Sequence, residues 1–372
     1  MLQFEQLSYW EKETFIQHID FLIIGSGIVG LSTSIYLKNK YPKKNILIIE
    51  QGYLPTGSSS KNAGFACIGS PSELINDLKN NTEKEVFATV KKRWKGLQNL
   101  NQLLGKKQIG FKQLGSYELF EDKILFDKCK SKIDYLNTKL KHITDFDHTF
   151  KINKNIISDA NFNRFKYAIS HQAEGQIDTG LMISNLLKLA IEKGVKILNG
   201  IEAKAINKQS VNTQYGSINF NKLFICTNGF AKSFLPKENI DPARAQVLIT
   251  KPINHLKFKG IYHFNAGYYY FRNVGNRVLF GGGRQLNIKG ETTINFNQTE
   301  QIKQNLFNYL KDYILPNNHF EIDYFWSGIM GVGKTKSPII KQIDDHIFCG
   351  IRLGGMGVAI GSLVGKELAE MV

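Results

Sequence analysis

Residues 20–50 constrain the fold more than any other stretch of the chain. Asp20 leads into a short apolar run, Phe21, Leu22, Ile23 and Ile24, followed at once by GSGIVG at 25–30. Ile28, Leu31, Ile35 and Leu37 then suit a helix packed on a sheet, and Ile46, Leu47, Ile48 and Ile49 make a second apolar run ending at Glu50. The order is buried strand, tight glycine turn, helix, buried strand. In that context G-x-G-x-x-G predicts a dinucleotide site. Gly25 permits the turn, Gly27 lets the backbone approach a pyrophosphate, and Gly30 lets the helix close on the sheet. The helix start offers free N–H groups and partial positive charge to the phosphates, so Ser26, Ile28 and Val29 join the predicted cofactor contacts. Glu50 lies where a carboxylate accepts hydrogen bonds from an adenosine ribose, with Gln51 beside it.

A second glycine-rich string, GIMGVGKT at 328–335, fits the phosphate loop of nucleoside triphosphatases. Its context does not. Such a loop opens directly into a helix, and Pro338 stands three residues after Thr335, where it would cost about 3 kcal/mol in a helix interior. The following IIKQIDDHIFCG reads as short strands around an Asp344–Asp345 turn. The string is expected to be a turn, not a triphosphate site.

Composition narrows the remaining classes. The chain has 372 residues, 42% of them hydrophobic, enough for a large core in one domain or two interleaved ones. The formal charge of +16 could favour nucleic acid, but only seven of the 48 basic residues are arginine, and lysine is spread through every region. Selected phosphate and base readers would include more arginine, so a nucleic-acid partner is not expected. Cys67, Cys129, Cys226 and Cys349 form no C-x-x-C pair, so no zinc or disulfide scaffold is expected and a reducing cytoplasm fits. The first twenty residues lack the pattern of a signal peptide, and no apolar run is long enough for a membrane span. The histidines show no ligand spacing; HITDFDH at 142–148 reads as a polar loop, and no metal site is expected.

Further along, helices are predicted over 83–104, about 124–140 and 180–193, and strands at GSYELF, 195–198 and 222–229. Residues 262–284 are strongly β-like, with a hairpin turn around Asn273–Asn276. On its first strand Tyr268, Tyr270 and Arg272 share one face, Tyr269 and Phe271 the other. LGGMGVAIGSLVGKELAEMV closes the chain as a glycine turn entering a helix.

These pieces together resemble the FAD-dependent D-amino-acid-oxidase superfamily, which includes glycine oxidase, monomeric sarcosine oxidase and gamma-glutamylputrescine oxidase. The resemblance rests on GSGIVGLSTSIYL with Glu50, SSSKNAGFA (58–66), EGQIDTGLMISNLLKLAIEKGVKI (174–197), ICTNGFA (225–231), YYYFRNVGNRVLFGGGR (268–284), WSGIMG (326–331) and GIRLGGMGVAIGSLVGK (350–366). It implies an α/β fold: a Rossmann-type FAD-binding domain made of residues 1–75, 166–235 and 331–372, with an inserted α+β antiparallel-sheet substrate domain made of 76–165 and 236–330. It further implies that Ser58, Ser59, Lys61, Asn62, Ala63 and Gly64 contact the flavin, that Thr227, Asn228 and Gly229 pass near the adenosine end, and that Gly354, Gly355, Met356 and Gly357 present N–H groups to the flavin ring, with Arg352 nearby. FAD is expected to be held non-covalently, because the family's flavin-linking cysteine would fall near GVGKTKSP, which has none.

One departure matters. The arginine with which glycine and D-amino-acid oxidases clamp the substrate carboxylate would stand at Met330, and the corresponding lysine of sarcosine oxidase near Ala359. Arg284 is the compensating candidate, with Arg272 and Arg352 behind it, and Tyr268 and Tyr270 as pocket walls. The implied activity is oxidation of the C–N bond of a small-molecule amine or amino acid by hydride transfer to the flavin, giving an imine that hydrolyses; the electron acceptor is oxygen or another species. The alternatives are a flavin enzyme acting on a tRNA wobble base, an NAD-dependent dehydrogenase, and a flavoprotein kept as an interaction module.

Overall fold

The computed structural model describes residues 3–372. Four consecutive buried residues, Phe21–Ile24, lie in the middle of a six-stranded sheet. Ile46–Glu50 and Lys222–Ile225 flank that strand in parallel, in register from Phe21↔Ile46 and Phe21↔Lys222. Lys196–Asn199 extends one side; Ile347–Ile351 and the antiparallel edge Ile339–Gln342 extend the other. An unbroken apolar run is what a strand covered on both faces requires.

The second sheet has eight strands in the order Ile322–Val332, Asp241–Thr250, Arg277–Gly282, Tyr269–Val274, Ile261–Phe264, Ser116–Phe120, Tyr167–His171 and Phe150–Asn153. Every pairing is antiparallel except Ile261–Phe264 with Ser116–Phe120, where two separate stretches of chain meet. Tyr167–His171 belongs to this sheet, so the chain changes sheets after residue 171 and not at the expected 166. The strand Ile322–Val332 likewise runs past the expected boundary at 330.

The predicted 83–104 helix is Glu83–Leu104, and the one expected near 124–140 is two, Lys123–Lys130 and Ile133–Thr144. GIMGVGKT is strand and turn: the strand ends at Val332, and after Pro338 the chain forms the edge strand. Among the described residues no helix is long and apolar enough to cross a membrane.

The C-terminal helix Gly357–Glu370 is clamped between the helices Ile28–Lys40 and Glu83–Leu104 through glycines. A Cβ on Gly365 would lie 2.6 Å from Ser32 Cβ and 2.8 Å from both Thr33 N and Val29 O. Backbone atoms cannot yield as a flexible side chain would. Ala is favoured over Gly in an open helix by about 1 kcal/mol, but overpacking here costs about 1–3 kcal/mol. Gly365→Ala should therefore lower the thermal unfolding midpoint. An unchanged or raised midpoint would show that the two helices can separate freely.

Candidate active site

The turn after Phe21–Ile24 brings the start of the Ile28–Lys40 helix down onto its own entry. A Cβ on Gly30 would fall on the Gly25 carbonyl oxygen, so only glycine allows this approach. Ile28 N–H donates to Ser59 Oγ (3.0 Å), which ties the turn to the short helix Ser58–Lys61. Val29 is buried against Gly350 and Gly365. Glu50 sits at the end of the neighbouring strand. Its Oε2 accepts from Ser26 N–H (3.0 Å) and Ser26 Oγ–H (2.9 Å), and its Oε1 from Gly52 N–H (3.0 Å). Gln51 is exposed beside it and reaches Glu202 at 3.4 Å.

A cavity of about 460 Å3 opens next to this turn. Ile28, Ser58, Ser59, Lys61, Asn62 and Ala63 line one part, and Asn228, Gly354, Gly355, Met356 and Gly357 another. Gly354 and Gly355 both take left-handed backbone (φ 58° and 79°), which turns the chain into the C-terminal helix. That helix points its first turn at the cavity, where N–H groups have no intrahelical acceptor. The opposite wall comes from the eight-stranded sheet: Ala245, Val247, His263, Tyr268, Tyr270, Gly282, Arg284, Gly328 and Met330. Gly64 lies behind the 58–63 loop, packed on Ile177, and Gly229 packs against the Met330 carbonyl. Thr227 is beside the Gly25 turn, and its hydroxyl is buried with no hydrogen-bond partner.

These placements fit a bound dinucleotide. A carboxylate has roughly four acceptor positions, and Glu50 uses three of them. Ser59 accepts from Ile28 N–H and keeps its own proton to donate. Thr227 is a buried hydroxyl without a partner, and such groups are uncommon unless something else satisfies them.

Two arginines do not stand where the sequence pointed. Arg272 shares the Tyr270 face of its strand but is buried outside the cavity, donating to Ile177 O (2.9 Å). Arg352 turns its guanidinium to Asn239 O (2.8 Å), Ser337 O (3.1 Å) and Thr335 Oγ1 (2.9 Å). Both donate to backbone carbonyls, and neither lines the cavity.

Arg284 differs. It follows the hairpin strand Arg277–Gly282, in a short 3-10 turn, and lines the cavity half-buried. Among the described residues its side chain has no ion pair and no hydrogen bond, whereas Arg272, whose Nε is likewise buried without an acceptor, donates to Ile177 O. Burial draws the Arg284 pKa down, as expected for a cation without a partner in contact. Glu291, the acid whose charge acts on it, is already taken. Arg244 grips Glu291 with two hydrogen bonds (2.8 and 2.7 Å), and Gln246 Nε2 donates to it at 2.9 Å.

Tyr270 lays its ring across Gly281 and against Phe65, and burial pushes its phenol up to about 12, so it remains an O–H donor. Tyr268 is half exposed at the rim. Tyr269 and Phe271, on the reverse face, pack into the aromatic core with Phe264 and Tyr262. The tyrosine run therefore splits between cavity wall and core.

Several cavity residues had not been singled out: Phe65, Cys67, Glu73, Asn76, His263 and Lys336. Glu73 and Asn76 stand three apart on the helix Pro71–Asn80, so they share a face. The start of that helix was legible as S-P-S-E, a capping box with proline at the first position. Behind His263 lies a buried polar floor. Glu174 accepts from Ile68 N–H (2.6 Å), Gly69 N–H (3.0 Å) and Ser116 Oγ–H (2.6 Å), and stands 3.8 Å from His263 Nε2 and 3.6 Å from His171 Nε2. Burial alone would raise Glu174; the two imidazoles and the Ser116 hydroxyl hold it well below the usual carboxylate range. Burial would lower His263, but Glu174, through its hydrogen bond and its charge, raises it.

Cys67, Glu174 and His263 bring possible ligand atoms within 4.8 Å of one another. Three donors already occupy Glu174, and burial keeps the Cys67 thiol protonated. The cluster is built as a hydrogen-bonded anchor for the 67–69 segment.

A family model described as FAD dependent oxidoreductase matches residues 20–371. Among curated proteins, "Probable oxidoreductase OrdL" from Haemophilus influenzae is 21% identical over 96% of this chain and 84% of its own length. Among solved structures, L-proline dehydrogenase from P. horikoshii superposes with a TM-score of 0.77 at 18% identity, over 96% of this chain and 94% of that one. Glycine oxidase from Bacillus cereus does so with a TM-score of 0.75 at 14% identity, over 95% and 94%. At such identities the structural likeness speaks for the fold. The FAD description of the family leaves no support for the nicotinamide alternative.

Glu118 provides a pH test of the floor. It is buried, its carboxylate accepts from Ser72 N–H (3.0 Å) and from the Ser72 hydroxyl, and burial pushes it up to about 7. A carboxyl whose folded pKa exceeds its unfolded 4.5 contributes stability below about pH 4.5 and loses it as pH rises through about 7. Glu118→Gln removes the titration and can keep the Ser72 contacts. Relative to the unchanged protein it should gain stability between about pH 5 and pH 8, by about 3 kcal/mol at most. Unfolding midpoints that differ equally at the two pH values would overturn this.

Proposed function

The chain belongs to the family of FAD-dependent oxidoreductases, and from that membership we propose that it oxidises the C–N bond of a small amine or amino acid carrying an anionic group. The carrying observation is the cavity: one side is formed by the loops beside the dinucleotide turn, the other by a hairpin that presents an unpartnered Arg284. The names of the structural neighbours, a proline dehydrogenase and a glycine oxidase, concern amino acids and agree with this substrate class.

In this reading the 25–30 turn and Glu50 hold the dinucleotide end of FAD. Ser58, Ser59, Lys61, Asn62 and Ala63 hold one edge of the ring system, and the 354–357 turn the other. Bound there, FAD supplies the two-electron acceptor for a hydride leaving the carbon beside nitrogen. The start of the C-terminal helix contributes N–H groups and partial positive charge where negative charge develops. Met330, Val247, Leu353 and Val358 give the cavity apolar walls that exclude water. Arg284 pairs with the substrate's anionic group, and Tyr268 and Tyr270 fix its orientation. The imine product hydrolyses after release to a carbonyl compound.

FAD is held without a covalent bond in this proposal. Cys67 is the cysteine that lines the cavity, and its thiol is buried with its pKa raised well above the ordinary value, so it is a poor nucleophile. Acid precipitation should leave the yellow colour in the supernatant. Colour that stays with the pellet would reject this point.

Arg284→Met should cost an anionic substrate about 2–5 kcal/mol of binding if the pair is desolvated, and an uncharged amine much less. The measurement is kcat/KM for the best substrate from an amine and amino-acid panel and for its decarboxylated analogue. Equal losses on both would eliminate the anchor.

A further inference from the structure

Of the residues lining the cavity, four are exposed: Asn76, Tyr268, Lys336 and Gly355. They mark its mouth. Asn76 comes from the helix Pro71–Asn80, Tyr268 from the turn before the strand Tyr269–Val274, Lys336 from the 333–338 turn, and Gly355 from the turn into the C-terminal helix. Lys336 reaches across this opening. Its Nζ meets the carboxylate of Asp77, at 2.7 Å from Oδ1 and 2.9 Å from Oδ2.

Asp77 stands one residue after Asn76 and four after Glu73, so it belongs to the helix face that borders the cavity. The turn that carries Lys336 lies on the other bank: an added Cβ on Gly354 would meet the Lys336 carbonyl oxygen at 3.8 Å. Both flanks of that turn are fixed. Lys334 N–H donates to Asn239 Oδ1 (2.7 Å), and the Arg352 guanidinium donates to Thr335 Oγ1 (2.9 Å) and Ser337 O (3.1 Å). Among the described residues the Lys336–Asp77 pair is the sole ion pair or hydrogen bond between the turn and the helix.

The pair is asymmetric. The Asp77 side chain is 13% exposed and sits on a helix, whereas that of Lys336 is 45% exposed, on a flexible four-carbon stem. An ion pair this open to water is weak. Its rupture leaves Asp77 in place and lets the lysine swing out to solvent. The backbone of the turn need not move, because Arg352 and Asn239 hold it on either side of Lys336.

We infer that Lys336 and Asp77 form a strap across the mouth of the cavity, closed in this structure, whose opening admits solutes of substrate size to the interior. This rests on the proposed function only in that the cavity holds the flavin ring. It does not depend on which substrate is oxidised, nor on the role of Arg284.

The test uses the FAD-loaded protein and acrylamide, a neutral solute about the size of a small amino acid, as a collisional quencher of the bound flavin's fluorescence. Lys336→Met and Asp77→Asn should each raise the quenching constant by about two- to fivefold, the population shift that a weak exposed pair can hold. The double variant should match the single ones, because each substitution removes the same contact. Raising NaCl should increase quenching in the unaltered protein and leave the variants unchanged, since salt screens the pair and the probe carries no charge. Lys336→Arg, which keeps the cation, should stay close to the unaltered protein. Single variants that quench like the unaltered protein, additive effects in the double variant, or no salt response in the unaltered protein would each overturn the inference. The salt series needs no substitution, so the test can still fail the strap if a variant does not fold. Bleaching by amines is read separately: a flavin that no amine or amino acid on the panel reduces would refute the proposed reaction and leave the strap standing, whereas a protein that takes up no FAD would refute both.

Discussion

The closure of the first helix onto its own entry turn is the constraint on which the rest of the structure depends. Gly30 has to pass over the Gly25 carbonyl at a distance that no side chain permits. Given that contact, the helix Ile28–Lys40 starts at the ends of the parallel strands and points its N–H groups into the space above them. The C-terminal helix must then pack on the first, and Gly361 and Gly365 allow it by meeting Ile28, Ser32 and Thr33 without side chains of their own. Two helix starts thus converge on one region, each carrying partial positive charge. The cavity lies where they converge.

The second sheet is held to this framework by a few polar contacts. Trp326 Nε1–H donates to Lys61 O (2.9 Å), which fixes the loop beside the turn to the long strand Ile322–Val332. Arg272 reaches across to Ile177 O from the hairpin. The Gly229 backbone meets the Met330 carbonyl. Each contact joins an element of the eight-stranded sheet to a loop flanking the six-stranded one. Arg272 is thus a tie between the sheets, and its charge is spent on a carbonyl.

Local patterns made the framework legible in the sequence. Phe21–Ile24 and Ile46–Glu50 read as buried strands because four apolar residues in a row, flanked by glycine and a terminal carboxylate, have few other uses. The split of the expected 124–140 helix was less accessible, because Lys132 at the junction carries no breaker signal. The site was legible only where backbone geometry dictates residue type, as in the 25–30 and 354–357 turns. Arg272, Arg284 and Arg352 look equivalent in a linear sequence. What separates them is which carbonyls and carboxylates lie within reach after folding, and those come from segments tens of residues away. His263 and Glu73 were missed for the same reason. One is a polar residue in an aromatic strand, the other an ordinary helix-capping glutamate, and only the meeting of the Pro71–Asn80 helix with the 265–268 turn gives them a common cavity.

The state of Arg284 follows from a competition settled elsewhere. Glu291 is the acid in its field, and a flexible arginine would ordinarily find it. Arg244 reaches it first, with a two-pronged grip reinforced by Gln246 and by the Thr299 hydroxyl. A carboxylate offers two oxygens, and a forked guanidinium uses both. Arg284 sits seven residues before Glu291, in the short turn that follows the hairpin strand, and lines the cavity. Half-buried, its charge is screened less than it would be on an open surface. The fold therefore holds one arginine in a hydrogen-bonded network and leaves the other half-buried in the cavity lining, without an ion pair among the described residues.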